Sequence, residues 1–251
     1  MTVQGAVSGS PVDSILAHQA TRLNGARLRD AQAFAAEFLR RVADDELAAR
    51  SVAEWSALCQ SMLEFVRERR AGAAKIRIVN AAAEDGFGTT RTLVDVVTDD
   101  MPFLVDSVGM AIASAGLRTH TIIHPIFRVV RDPGGHLLSF GADADAPGTA
   151  ESVMHFEVDR VADAAELERL KQTVAAALDD VRASVADWKP MHDRMLALAD
   201  ELPRRPAPID AAGLAEAAEF LRWVADENFT FLGYREYRVV RSGEDEVLQA
   251  V

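Results

Sequence analysis

The stretch RTLVDVVTDDMPFLVDSVGMAIASAGLRTHTIIHPIFRVVRD, residues Arg91–Asp132, changes the period of its hydrophobic residues twice. Residues 91–99 are rich in β-branched side chains, which predicts a strand. Residues 101–115 repeat apolar side chains at intervals of three and four, which predicts a helix that ends at Gly116. Alternation returns from Leu117 onward and predicts a long second strand. The stretch therefore predicts a strand–helix–strand unit with a polar turn before the helix.

The neighbouring segments extend this unit into a sheet. Residues 75–81 alternate apolar and polar side chains in front of it, and residues 136–140 and 151–161 predict further strands behind it. Asp163 and Glu166 then form an acidic variant of a capping box at the start of an amphipathic helix. The order strand, strand, helix, strand, strand, helix predicts an α+β sandwich, with helices on one face of a mainly antiparallel sheet.

Helical periodicity dominates the segments on either side of the sheet. Two helices are predicted over residues 30–49 and 52–70, and no regular element is predicted before residue 21. Beyond the sheet we expect two helices, a proline-rich linker, a helix and a strand, over 163–185, 185–200, 201–210, 212–225 and 228–240. Because a lone strand cannot form a sheet, the last strand is expected to join the earlier sheet or to begin a longer polypeptide.

These patterns predict four segments. They are an N-terminal helical cap, an α+β domain, a helix with a proline-rich linker, and the start of a second module, over residues 1–72, 73–186, 187–210 and 211–251.

The composition excludes several classes of function. A net charge of −12 argues against nucleic acid or an anionic membrane as the main partner. The single cysteine, Cys59, rules out an internal disulfide or a multi-cysteine metal site, and its place in a helical pattern predicts a buried side chain. No signal peptide and no apolar run of about 20 residues is found, so a cytoplasmic location is expected.

The histidines do not predict a metal site. His120 and His124 are four residues apart, but their β-branched neighbours predict a strand, on which they would lie about 13 Å apart. His155 lies on another predicted strand, and all three are interpreted as histidines on a sheet face. A small self-contained enzyme that uses these histidines is the least favoured alternative.

The carboxylates of Asp99, Asp100 and Asp106 allow two interpretations. An aspartate at a helix N-terminus satisfies free N–H groups and the helix dipole, so Asp99 or Asp100 could cap the helix, with Pro102 in its first turn. Alternatively, the backbone donors of the turn could bind a ligand carboxylate while the aspartates bind its ammonium, as an amino acid would require. Both interpretations stay open at this point.

No complete catalytic motif is found. Ser107 lies in the predicted helix and lacks the context of a nucleophile elbow. Residues 86–88, GFG, lack the third glycine and the following helix of a dinucleotide fingerprint. The chain itself is therefore predicted to have no catalytic residues and no cofactor.

Two separated segments resemble one enzyme family. TDDMPFLVDSV, followed by GLRTHTIIHPIFRVVRD, resembles the N-terminal region of the large bacterial NAD-specific glutamate dehydrogenases, and residues 220–239, FLRWVADENFTFLGYREYRV, look like a segment after the first regulatory module of that family. The resemblance covers residues 30–251 and implies a parent enzyme that converts L-glutamate to 2-oxoglutarate, ammonium and NADH. NAD would belong to the parent, since its catalytic sites lie far downstream.

The resemblance also implies a fold, partners and a site. The N-terminal regions of this family contain ACT-like modules, which are ferredoxin-like βαββαβ sandwiches that commonly pair side by side. This implies a homo-oligomer, contacts with downstream domains of the same polypeptide, and an amino-acid effector at the turn between the first strand and helix. The site residues would be Asp99, Asp100, Met101, Pro102, Phe103, Asp106 and Gly116.

The turn departs from the ACT pattern in one respect. ACT turns often carry glycine after the proline, whereas Phe103 follows Pro102 here. This departure favours the alternative function, a purely structural oligomerisation module that binds no small molecule.

Overall fold

The chain forms two compact units, Met1–Leu178 and Asp179–Val251, whose boundary falls within a long helix. The structure is a computed structural model and describes residues 10–82, 85–141, 143, 145–204, 210–242 and 245–250.

The first unit begins with four helices that form the helical cap, α1 to α4, over Pro11–Ala20, Gly25–Leu39, Asp44–Ala48 and Val52–Val66. Two of them begin with a capping box: the hydroxyls of Ser10 and Ser51 accept backbone N–H groups three residues later, and an acidic side chain at that position accepts in return. The prediction that the first twenty residues lack regular structure was therefore wrong for α1.

The helix predicted over residues 30–49 is two helices. α2 begins earlier than predicted, at Gly25, so Asp30 lies inside it and is not its cap. α3 begins only at Asp44, after a turn. The buried side chains Phe34, Phe38 and Leu39 explain the helical periodicity that was read correctly in α2.

Six strands form one sheet: β1 to β6, over Lys75–Asn80, Thr92–Asp99, Thr119–Ile123, Ile126–Arg131, Leu137–Gly141 and Thr149–Val158. The pairings are antiparallel, in the order β1-β2-β6-β4-β5, and β3 also pairs with β6. The predicted α+β fold with an antiparallel sheet is confirmed. The long predicted strand is broken at His124–Pro125, where proline has no N–H to donate, yet β3 and β4 pair with successive parts of β6.

The helix α5, Leu104–Ser114, connects β2 to β3, and α6, Ala164–Glu201, follows β6. In the described part of the chain no strand after α6 joins this sheet. The edge beside β2 is instead occupied by β1, which precedes the strand–helix–strand unit in the chain.

One face of the sheet, the cap face, packs against the helical cap. Apolar residues of β2, β4 and β6 share one buried cluster with side chains of α2 and α4. The ring of Phe34 stacks on Phe127 at a centroid distance of 5.1 Å and on Phe38 at 5.5 Å. The sheet residues of this cluster include Leu93, Val97, Phe127, Val129 and Val153.

The opposite face is equally buried. By strand alternation it carries Val94, Val96, Met154, Phe156 and Val158, which lie outside the cluster formed with the cap. The apolar stripes of α5 and of the first half of α6 are buried as well and also lie outside that cluster, so these helices supply the cover of this face. Helices thus cover both faces, and the prediction of one covered face was wrong.

The second unit is built on the later part of α6. The start of α6 belongs to the first unit, and there the N–H of Glu166 donates to the Asp163 carboxylate at 2.9 Å, so the predicted capping residue is confirmed. The predicted break near residue 185 is wrong, since α6 runs through Pro190 to Glu201. A short 3₁₀ turn, α7, a π-helical turn and the strands β7 and β8 follow, over Leu202–Arg204, Ala211–Trp223, Val224–Asn228, Tyr237–Ser242 and Asp245–Ala250.

The last predicted strand is shorter than expected. It begins at Tyr237 and pairs with β8 in a separate two-stranded antiparallel sheet, so it does not join the first sheet. Most of the predicted proline-rich linker, residues 205–209, lies outside the described residues. Among the helices that are described, none is both long enough and apolar enough to span a bilayer.

Cys59 provides the first testable prediction. Its side chain is buried in α4, as predicted, and burial raises the pKa of its thiol above the usual range. Because the thiolate is the nucleophile, we expect a chromogenic disulfide reagent to react with Cys59 only as fast as the first unit opens. A reaction with the native chain that is stoichiometric and as fast as with the urea-unfolded chain would contradict this burial.

Candidate functional site

The turn between β2 and α5 holds most of the predicted site residues. Phe103 occupies the N-cap position of α5 in the left-handed conformation, with φ of 71°, and its side chain makes no cap hydrogen bond. This conformation is uncommon for a bulky residue. The prediction that Asp99 or Asp100 caps the helix was wrong, because both carboxylates have other partners. Pro102 also lies before the helix, not in its first turn.

Both aspartates bond to groups of the sheet and of the segment after α4. Asp99 Oδ1 accepts a hydrogen bond from Arg69 Nη2 at 2.6 Å. Asp100 Oδ1 accepts from Ser152 Oγ at 2.5 Å, and His124 Nε2 lies 3.0 Å from the same hydroxyl oxygen. Burial lowers the pKa of His124. This chain of contacts ties the turn to the centre of β6.

The other predicted residues are more exposed. Phe103 is 46% exposed, and Asp106 is exposed in the first turn of α5. Gly116, with φ of 77°, lies just beyond the opposite end of α5, about 16 Å away along the helix axis. The structure therefore brings residues 99–103 and Asp106 together and leaves Gly116 apart.

Asp99 also belongs to a group of charges, the Glu151 cluster, formed with Arg69, Arg131 and Glu151, of which Arg69 and Glu151 are buried while the Asp99 side chain is 40% exposed. Glu151 Oε1 accepts from Arg69 Nη2 at 2.7 Å, while Arg131 donates to both carboxylate oxygens, at 2.8 and 2.7 Å. Arg131 also donates to the carbonyl of Val66 at the end of α4. The cluster joins the helical cap to β2, β4 and β6, and Asp99 connects it to the predicted ligand turn.

A second group of buried charges, the His155 cluster, lies further along the cap face and comprises Arg50, Arg77, Asp95, His155 and Glu157. His155 Nδ1 and Asp95 Oδ1 are 2.6 Å apart, and Arg77 Nη2 lies 2.7 Å from Asp95 Oδ2. Arg50 pairs with Glu157. Burial alone would lower the pKa of His155, but the hydrogen bonds and charges of Asp95 and Glu157 outweigh it and raise this pKa to about 9.

Glu157 responds to the same neighbours in the opposite direction. Burial raises the pKa of its carboxyl, but His155 and Arg50 outweigh burial and lower it to about 2. The described geometry therefore favours a protonated His155, whose Nδ1 lies 2.6 Å from Asp95 and whose Nε2 lies 3.5 Å from Glu157, too far for a good hydrogen bond.

Both clusters were missed in the sequence because strand alternation hides them. Asp95, His155 and Glu157 stand at every second position among apolar residues, which is typical of a strand with one solvated face. The helical cap covers that face instead, so polar residues there need partners. The sequence did contain one indication of these clusters. Arg69 follows the end of α4 and Arg77 lies on β1, and both provide the cations that pair with the buried carboxylates.

The described residues offer no obvious place for NAD or a metal ion. Among them, no group of three or more potential metal ligands comes together. The β2–α5 turn carries Pro102 and the bulky Phe103 where a dinucleotide-binding turn needs glycines for close approach of the pyrophosphate. These residues do not fit NAD.

Comparisons with known proteins match most of this chain to one enzyme family. The family model "Glutamate dehydrogenase, ACT1 domain" matches residues 34–174, which span α2 to the first part of α6. The NAD-specific glutamate dehydrogenase of Halomonas elongata is 36% identical over 223 residues, or 87% of this chain and 14% of that protein. The Pseudomonas aeruginosa enzyme of the same name is 33% identical, over 82% of this chain and 13% of the enzyme.

A third relative, the NAD-specific glutamate dehydrogenase of Mycobacterium tuberculosis, is 29% identical over 78% of this chain and 13% of its own length. The chain thus spans about one seventh of the curated relatives that it matches. Since the ACT1 model covers more than half of the chain, the predicted resemblance is confirmed, and the chain belongs to the family of glutamate dehydrogenase ACT1 domains.

Proposed function

We propose that this chain is an N-terminal regulatory and assembly region of a cytoplasmic NAD-dependent glutamate dehydrogenase. The observation that carries the proposal is the ACT1 match over residues 34–174. The parent enzyme would oxidise L-glutamate to 2-oxoglutarate with NAD through domains beyond this chain. The chain itself would contact those domains and further copies of itself, and it would catalyse no step.

A direct assay tests the non-catalytic role. We expect the purified chain to form no NADH, measured by absorbance, when it is given L-glutamate and NAD. NADH formation that is lost on His124→Gln substitution would contradict this role and favour the small enzyme that uses histidines.

Within this role, we propose that the β2–α5 turn senses an amino acid. The start of α5 has no side-chain cap, so the backbone N–H groups of Met101 and Phe103, on either side of Pro102, would bind the ligand carboxylate. Asp99, Asp100 and Asp106 would bind its ammonium. Because Arg69 and Ser152 already contact two of these carboxylates, ligand binding would compete with the bonds that tie the turn to the sheet.

The second candidate is a purely structural module that assembles with other copies and binds no small molecule. Phe103 favours it, because this large apolar side chain is 46% exposed at the turn and is suited to contact another protein surface. The engagement of Asp99 and Asp100 by protein groups also fits an architectural turn.

Calorimetric titration of the chain with a panel of amino acids, including aspartate and arginine, separates these candidates. Saturable heat that disappears in Asp100→Ala but persists in Asp180→Ala, an exposed aspartate of α6, would favour sensing at the turn. No heat, together with a stable oligomer by light scattering that Phe103→Ser dissociates, would favour architecture. A monomer that releases no heat would contradict both.

A further inference from the structure

A polar cleft lies at the end of β2 that is opposite to the predicted ligand turn. It has a volume of about 330 Å³, and the residues that matter for its chemistry are Glu46, Arg50, Thr89, Arg91, Thr121 and Glu157. Arg91 immediately precedes β2, whereas Asp99 ends it, so the two places are about 25 Å apart along the strand. We call this the Arg91 cleft.

The floor of the Arg91 cleft is rigid and charged. Glu157 is buried on β6, where its carboxylate pairs with Arg50, and the guanidinium of Arg50 lies over the Trp55 ring at 5.0 Å from the centroid. Packing and pairing therefore hold Arg50 and Glu157 in place. These two residues form the base of the cleft, and their charges offset each other.

Arg91 is bonded less completely. Its Nη1 lies 3.5 Å from Glu157 Oε2, and the side chain is 37% exposed. In the described part of the chain no other side-chain contact of this guanidinium is found, so most of its five N–H donors are available to a ligand. A planar guanidinium with free donors matches a carboxylate in a bidentate arrangement. The hydroxyls of Thr89 and Thr121 add polar groups to the same cleft.

The same cleft contains an acidic group. Glu46 lines it and is half-buried, and within the described residues its carboxylate has no cationic partner. Glu54, the other acidic side chain at the rim, is already bonded to Ser51 in the capping box of α4. The cleft therefore offers one available cation and one available anion within a volume suited to a small molecule.

We infer that the Arg91 cleft binds a free amino acid, whose carboxylate pairs with Arg91 and whose ammonium pairs with Glu46. This inference goes beyond the proposed function, since it concerns a different place from the β2–α5 turn and holds whether or not that turn binds a ligand.

Matched pairs of ligands test the inference by calorimetry on the purified chain. The probes are L-alanine with pyruvate and L-glutamate with 2-oxoglutarate, because each pair differs in the ammonium group. We expect an amino acid to give saturable heat, and Arg91→Gln to weaken its binding by about tenfold or more, as the loss of a charged hydrogen bond predicts. Glu46→Gln should weaken the binding of the amino acid and leave the binding of the corresponding 2-oxo acid unchanged.

Two controls keep this test separate from the β2–α5 turn. Arg70→Gln replaces an exposed arginine outside the cleft and should leave binding unchanged. Asp100→Ala removes a carboxylate of the β2–α5 turn, so binding that is lost in Asp100→Ala and retained in Arg91→Gln would place the ligand at the turn and overturn the inference. Absence of heat with every probe, or equal binding of a 2-oxo acid and its amino acid with no effect of Glu46→Gln, would overturn it as well.

Discussion

Replacement of Arg69 by methionine is expected to lower the free energy of unfolding of the first unit by about 3 kcal/mol. Arg69 and Glu151 are both buried, and Arg69 Nη2 bridges the carboxylates of Glu151 and Asp99 at 2.7 and 2.6 Å. Without this guanidinium, a buried carboxylate loses one of its two cationic partners while its desolvation remains. Methionine keeps much of the apolar volume, so the measured loss reports the charge.

The fluorescence of Trp55 during urea unfolding provides the measurement. Trp55 is the only tryptophan of the first unit, so a Trp188→Phe/Trp223→Phe background isolates its signal. The matched control is Arg67→Met, which removes an exposed pair with Glu64 and should change stability by less than about 0.5 kcal/mol. If Arg69→Met costs no more than Arg67→Met, the Glu151 cluster does not stabilise the fold.

Alkaline pH should destabilise the first unit through His155. Its pKa rises from 6.5 to about 9 on folding, so the folded chain binds the proton more tightly than the unfolded chain. The resulting stability is fully present below pH 6.5 and is lost as the pH rises through 9, by on the order of 3 kcal/mol. Glu157 has the opposite sign, since its contribution is present above pH 4.5 and is lost as the pH falls through 2.

Urea unfolding at a series of pH values checks this assignment. The groups that face His155 are Asp95 on β2, Glu157 on β6 and the Phe38 ring of α2. His155→Gln should lower stability at neutral pH and flatten the decline between pH 6.5 and 9. His136→Gln, at an exposed histidine, should preserve that decline. A decline that survives His155→Gln would mean that another group titrates.

The predictable part of the fold was the part with clean periodicity. β2 and α5 were recognised from the switch between β-branched runs and helical spacing, and the antiparallel α+β fold followed from the order of elements. The predictions were wrong where they depended on which element covers a face of the sheet, because local periodicity does not reveal this. Nothing in the alternation of Asp95 or His155 reveals that the helical cap buries them, since that depends on contacts between elements distant in sequence.

The position of the β2–α5 turn could be predicted from the sequence, but the contacts of its aspartates could not, and its role as a ligand site stays a prediction. The β2–α5 turn lies where the resemblance indicated, yet the partners of its aspartates, Arg69 and Ser152, lie 30 and 52 residues away from them in sequence. Local rules favoured helix capping, but a long-range ion pair of Asp99 and a long-range hydrogen bond of Asp100 overrode them. The left-handed Phe103 was equally hidden, because bulky residues seldom adopt that conformation.

The position of β6 has a consequence for the order in which the chain folds during synthesis. β6 is the last strand of its sheet to leave the ribosome, but it pairs with β2, β3 and β4, and the contact between Asp95 and His155 spans 60 residues. The cap helices, whose contacts are more local, can form first, whereas β2 must wait with one edge unpaired until residue 158 is synthesised. The nascent chain is therefore most vulnerable to aggregation during this interval.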